Sequence, residues 1–316
     1  MDRIIVQGYK RRDRLKKLGQ LIAISLIAII FIPAGITILL GNNNQLDTYI
    51  PVTQKEQEDN EKQRILEAQL IGIVAKTIPT SYEKEALKAQ AMIARSQIIL
   101  AQQEGGNKGP VSYMSIEEMK QLWGNDFNRN YSKIKYAVEE TNSMVITYDG
   151  EPVQLVYHLQ NAGQTQSSLD IWDIEVPYLK NVESPEDEKA PDLASQKKYS
   201  TQELIQKINQ HYNDVILESY SLETQIQIIE RTQGGYVKSI QVGNQLMKGD
   251  DFRKILNLKS SCFTFRYSAD EIIVVTKGMG HGVGLSQYGA NEMAKRGKTY
   301  DQILQYYFPG ISITDK

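Results

Sequence analysis

Twenty consecutive residues, Leu21 to Leu40 (LIAISLIAIIFIPAGITILL), carry no charge and almost no polarity. A soluble helix keeps a polar face, so a run of this length and character reads as one bilayer-spanning helix. Before it lie Lys10, Arg11, Arg12, Arg14, Lys16 and Lys17; after it come Asn42 to Asn44 and Asp47. The positive-inside rule then places the N-terminus in the cytoplasm and everything after Leu40 outside. A cleaved signal peptide is the competing reading. Against it stand the length of the apolar run, the long basic lead and the lack of an A-x-A site. The plan is a basic tail (1–20), a transmembrane anchor (21–40), a stalk (41–59) and an external domain (60–316) of a single-pass cell membrane protein.

Of the 316 residues, 41% are hydrophobic, enough for a sizeable core. With 36 basic and 38 acidic residues the net charge is −2, which gives no general attraction for nucleic acid. Cys262 is the only cysteine, so an intramolecular disulfide and a thiolate metal cluster are both excluded. Its apolar setting, SCFTF, suits a buried structural thiol.

Apolar residues recur at helical spacing over 57–77 and 83–103, the first run broken by Pro79 and the second opening on Glu83 and Glu85. Shorter helical patterns cover 115–123 and 130–142. The period then changes to two, and MVITYDGEPVQLVYH reads as a hairpin turning at Asp149-Gly150. Residues 183–200, with SPEDEKAPD, read as an acidic surface loop. A helix at 200–212 precedes strands at 225–231, 236–242, 262–267 and 271–276, with a short helix at 249–256. Helices return at 285–296 and 300–308. No repeat of fixed period occurs, and the fold class is α+β, with helices flanking a mostly antiparallel β region.

The stretch GMGHGVGLSQYGA sets Gly278, Gly280, Gly282 and Gly284 on alternate positions around His281. The spacing is not that of a dinucleotide fingerprint or a P-loop. Glycine lacks a Cβ and tolerates positive φ, so the loop can lie close against a ligand or against another part of the backbone. His281, Ser286 and Gln287 supply hydrogen-bonding groups at its edge, which suits a sugar; a strained structural turn is the alternative. There is no nucleophile elbow around Ser286. His158, His211 and His281 share no zinc-ligand spacing, so no metal site is expected.

Five blocks together resemble the stage II sporulation protein D family, in that family's order: EKEALKAQAMIARSQ, YHLQNAGQTQSS followed by VPYLKNVESPED, GDDFRKILNLKSSCF, GMGHGVGLSQYGA and YDQILQYYFPGISI. They span the chain from about Thr48 onward. The resemblance implies a membrane-anchored lytic transglycosylase of sporulation engulfment, acting on peptidoglycan glycan strands, preferably denuded ones, beside stage II sporulation proteins P and M. Such an enzyme needs one protonated carboxylic acid to protonate the glycosidic oxygen. The muramic 6-hydroxyl then attacks C1 to give a 1,6-anhydro end. No cofactor is implied.

The family carries that acid in an A-E-M-P segment just before the E-A-L-K-A-Q-A helix. Here the text is VAKTIPTSYEKEALKAQA, which puts Thr77 at the acid's position. Threonine cannot donate such a proton, so either Glu85 (or Glu83) substitutes, or the protein is a weakly active or inactive glycan-binding scaffold or amidase activator. A first-turn acid such as Glu85 is held ionised by the helix dipole, which opposes an acid role. Members that bind zinc do so between this helix and the hairpin; residues 102–150 contain neither Cys nor His. By the same resemblance His158, Gln160 and Thr165 join His281, Ser286 and Gln287 as expected glycan contacts, while Gln90 and Arg95 either brace the cleft or cover its exterior.

Overall fold

The structure, a computed structural model, describes residues 54–103, 111–212, 214–268 and 271–315. The basic tail, the proposed anchor and most of the stalk lie outside these residues. Within the described residues no helix is long and apolar enough to cross a membrane. Contacts divide the chain into Met1–Gln57 and Glu58–Lys316, and the second unit is described here.

The helices α1 (Gln54–Thr77), α2 (Lys84–Gln103), α3 (Ile116–Trp123) and α4 (Phe127–Glu139) come first. Helix α1 begins at Gln54, so the last residues assigned to the stalk are helical. The α3 start is fixed by a capping box: Ser115 Oγ accepts from Glu118 N and Glu118 Oε2 accepts from Ser115 N. A one-turn 3₁₀ segment, Gly124–Asp126, joins α3 to α4, which therefore starts and ends three residues earlier than its periodicity predicts.

Helix α2 explains its own alanine-rich sequence. Ala86, Ala89, Met92 and Ile93 enter one hydrophobic cluster, while Leu87, Ala91, Ala94 and Ile98 enter another formed with α1, α3 and α4. A helix buried on opposite sides needs small residues to let its neighbours approach. Arg95 is buried with it, donating to Thr141 O at 2.5 Å and Val138 O at 3.1 Å and pairing with Glu67 at 3.5 Å. It braces the helices rather than covering an exterior.

Strand β1 (Met144–Tyr148) turns at Asp149 and Gly150, both at positive φ, into a two-residue β2 (Glu151–Pro152). The expected long hairpin stops there. Tyr157–His158 forms a separate strand, β3. Helix α5 (Ser168–Trp172) follows, and then a 3₁₀ segment at Pro185–Lys189. Residues 183–200 are thus not a surface loop: they contain this segment, the buried Asp187, and strand β4 (Ala194–Ser200).

Next come α6 (Thr201–Asn209), α7 (Leu222–Gln225), β5 (Ile226–Arg231), β6 (Val237–Val242), β7 (Gln245–Lys248), α8 (Gly249–Ile255), β8 (Phe263–Tyr267) and β9 (Glu271–Lys277). They form two antiparallel sheets, β5-β6-β7 and β4-β9-β8, over a third cluster that includes Phe252, Phe263, Ile240 and Val274. Finally β10 (Leu285–Ser286), α9 (Gln287–Lys295), α10 (Tyr300–Tyr307) and β11 (Ser312–Asp315) return to the first core. There β11 pairs with β1 antiparallel and β10 pairs with β3 parallel. The architecture is α+β, as the sequence pattern implies.

Candidate functional site

The glycine loop is pressed against the chain itself. All four glycines have positive φ, between 76° and 113°. A Cβ on Gly280 would stand 2.6 Å from His158 Cβ, on Gly282 2.9 Å from the Tyr236 ring, and on Gly284 2.2 Å from Val156 O. The backbone that the sequence offers to a sugar therefore closes on residues 156–161 and Tyr236.

The loop's polar groups are mostly spent in the same way. His281 Nδ1 accepts from Val283 N at 3.0 Å, its carbonyl accepts from Gln166 Nε2 at 2.8 Å, and its ring packs 6.0 Å from both His158 and Trp172. Burial pushes the His281 imidazole below its usual range, although Asp250 opposes this. Thr165 Oγ1 donates to Lys180 O and accepts from Val182 N; Gln160 Nε2 donates to Asp192 O. His158 Nδ1 lies 3.1 Å from Val283 O, and since a carbonyl only accepts, that nitrogen carries the proton. Its Nε2 is then a buried lone pair with no hydrogen-bond partner. Burial, reinforced by His281, pushes the His158 pKa down to about 3.

Asp187 was hidden in the acidic run and is fully buried. Its Oδ1 accepts from Asn161 N at 3.0 Å and Ser286 Oγ at 2.6 Å; its Oδ2 accepts from Asn161 Nδ2 at 3.3 Å and Ser184 Oγ at 2.5 Å. Tyr307 OH stands 2.7 Å from Ser184 Oγ. Burial raises the Asp187 pKa, and the Ser184, Ser286 and Asn161 hydrogen bonds hold it back. Ser286 also caps α9 through Gly289 N at 3.2 Å. It is the hub of a buried junction between the 3₁₀ segment, the loop after β3 and α9. Its only sequence signal was Pro185 ahead of three acids that read alike.

The surface of the described residues has several open hollows, and one lies at the end of α1. A groove of about 520 Å³ is lined by residues 75–81 together with Leu122, Trp123 and Leu159. Thr77 stands at its wall where α1 ends. Gln287 Nε2 donates to Thr77 O at 2.7 Å and to Gln90 Oε1 at 3.0 Å, and Gln90 Nε2 reaches Thr77 Oγ1 at 3.3 Å. The Tyr157 phenol hydrogen-bonds to Thr77 and Gln90, and burial raises its pKa. Gln287 thus satisfies a carbonyl that the end of α1 leaves open, and a buried amide and hydroxyl network backs Thr77. Trp123 and Leu122, the latter 63% exposed, give the groove its apolar surface. Neither was marked out by the sequence, since an aromatic residue at a helix end has no distinctive spacing.

Glu85 is not among the residues lining this groove. One of its oxygens accepts from Tyr300 N at 2.9 Å, satisfying the first turn of α10, and the other pairs with Lys88 at 2.8 Å. The structure brings Thr77, Gln90, Tyr157 and Gln287 together and assigns Glu85 to helix docking. Among the described residues no group of three or more His, Cys, Asp or Glu is placed to hold a metal ion. Cys262 is half-buried, its thiol 3.6 Å from Gly235 O and its pKa raised by burial.

Residues 54–148 match the family model described as stage II sporulation protein. Stage II sporulation protein D of Bacillus subtilis (strain 168) is 36% identical over 262 residues, covering 79% of this chain and 74% of that protein. The Bacillus amyloliquefaciens protein of the same name is 34% identical over the same length. The amidase enhancer of Bacillus subtilis is 26% identical over 292 residues, with 40% of its length covered. The chain belongs to the stage II sporulation protein D family.

Proposed function

We propose that this protein is a sporulation cell-wall protein that engages peptidoglycan glycan strands in the Thr77 groove without cleaving them. The observation that carries this reading is the groove's wall. Where the family's acid is expected, Thr77 is tied to Gln90, Gln287 and Tyr157, and Glu85 is committed to Tyr300 N and Lys88. Glycosidic cleavage needs a proton delivered to the leaving oxygen, and neither an amide nor an alcohol supplies it at neutral pH. What the groove offers is the side chains of Thr77, Thr80 and Ser81 and the Trp123 ring, which suit a sugar with polar edges and an apolar face.

The apolar run Leu21–Leu40 and its basic lead support a single anchor that holds the domain outside the membrane. The family resemblance supports a place in engulfment beside stage II sporulation proteins P and M. Two other activities compete. The resemblance itself implies lytic transglycosylation, which requires an acid from outside the named lining residues. Stimulation of an amidase is favoured by the likeness to the amidase enhancer.

The test incubates the full-length chain, in detergent, with denuded strands. Strand binding, weakened about fivefold or more in Trp123→Ala, without 1,6-anhydro-muramyl ends is the expected result, the loss corresponding to about 1 kcal/mol or more of aromatic contact. Anhydro ends from the unaltered chain would overturn it. Faster amide cleavage by an added amidase, with no strand binding, would favour the activator.

A further inference from the structure

A second hollow, of about 450 Å³, opens between the β5–β6 turn and the β8–β9 pair, and it shares no lining residue with the Thr77 groove. Its volume falls in the range of small-ligand sites. Two cations line it, Arg231 at the end of β5 and Lys277 at the end of β9, and no Asp or Glu does. Arg231 is held in place: its Nη1 donates to Gly235 O at 2.8 Å and its Nη2 to Phe263 O at 2.9 Å, bonds that leave other guanidinium N–H groups unused. Lys277 has no side-chain partner among the described residues. Burial raises the pKa of the Cys262 thiol, and Arg231 and Lys277, acting on it together, pull it back. The two charges therefore bear on one spot in the hollow. Glu230, next to Arg231 in the chain, is engaged by Lys238 at 2.9 Å, and Glu188 packs against Gly163 beside the lining Ala162 without lining the hollow itself.

We infer that this hollow binds the C-terminal carboxylate of a short peptide that ends in a small apolar residue. An arginine fixed as a fork beside a lysine point charge is an arrangement that recognises an oxyanion. Two cations brought together without a counter-ion repel each other, so an anion between them gains from both. The rest of the lining suits a peptide end better than a bare anion. The Thr264 hydroxyl and the Gln233 carboxamide can pair with a peptide group, and Ala162 and Val275 give an apolar wall that fits a methyl side chain. A cell-wall stem peptide and the tail of a protein both carry this carboxylate; they differ in the hand of the last residue, D in the first and L in the second. The inference stands apart from the glycan-binding reading, because the two hollows are built from different residues.

The test titrates the full-length chain, in detergent, by calorimetry with N-acetyl-Ala-Ala of either hand, with the same peptides amidated at the C-terminus, and with inorganic phosphate. At least one free acid should bind about tenfold more tightly than its amide at low salt, and the gap should narrow as salt screens it. Cys262, the only cysteine, reports the place: bound peptide should slow its alkylation by neutral iodoacetamide. Lys277→Gln should cut the preference for the acid about fivefold and, with no partner to lose, leave thermal unfolding unchanged. Tighter binding of the D peptide assigns the hollow to wall stems, and tighter binding of the L peptide assigns it to protein tails. Amides that bind as tightly as acids, phosphate that matches the peptides, binding that leaves the Cys262 alkylation rate unchanged, or a preference untouched by Lys277→Gln would each overturn the inference. So would the absence of binding to any of these probes.

Discussion

The glycine loop and the Thr77 groove meet on the same residues, since Gln287 follows the loop and reaches Thr77, yet they are built in opposite ways. In the loop almost every polar group already has a partner inside the protein, and each missing Cβ makes room for the chain's own atoms. The groove has few marks in the sequence, but Thr80, Ser81, Leu122 and Trp123 line an open hollow. A dense motif can therefore record the constraints of internal packing, and the surface left for a ligand can be the part with the least pattern.

Breaking the loop side should be costly. Asp187→Ala strands four hydrogen-bond donors in the interior, and unfolding by denaturant should show a loss of about 3–5 kcal/mol. A loss below about 1 kcal/mol would mean that the junction is not the keystone its geometry implies.

A pH titration sharpens the same side. His158 has an ordinary pKa of 6.5 when unfolded and about 3 when buried, so below pH 6.5 the unfolded chain binds a proton that the folded chain refuses. Stability contributed by the neutral ring is present above pH 6.5 and is lost as pH falls towards 3, at up to about 1.4 kcal/mol per pH unit. His158→Asn should flatten that part of the stability profile, and an unchanged slope would show that His158 does not carry it.

The smallest effect falls on Glu85. Glu85→Gln removes the pair with Lys88 and weakens the bond to Tyr300 N, which should cost about 1 kcal/mol of stability and leave strand binding untouched. If the variant instead abolishes a measured cleavage activity, the division between docking helix and groove collapses.

Much of the helical framework was legible because α2, α9 and α10 keep their apolar spacing. The 183–200 segment was not. Glu186, Asp187 and Glu188 are equivalent as sequence, and only contacts to Asn161 and Ser286, distant along the chain, select the middle one for burial. The β3–β10 pairing was equally invisible, since two-residue strands carry no period. At the groove, Thr77 was legible as a departure from a motif, whereas Trp123 acquired meaning only when α1 and α3 were seen to share a wall.

Helix α2 has a further consequence for how the chain is made. One side of it packs among α1, α3 and α4, and those partners lie within residues 66–138. The other side packs on Leu285, Ala290, Ile303, Leu304, Tyr307, Phe308 and Ile311, some two hundred residues later. A nascent chain emerging in order can therefore assemble the first helical layer early and lay β1 against the opposite face of α2, but that face is completed only after the β region has been made. The mostly antiparallel sheets are an insertion in time as well as in sequence, and the last helices finish a core begun near the first hundred residues.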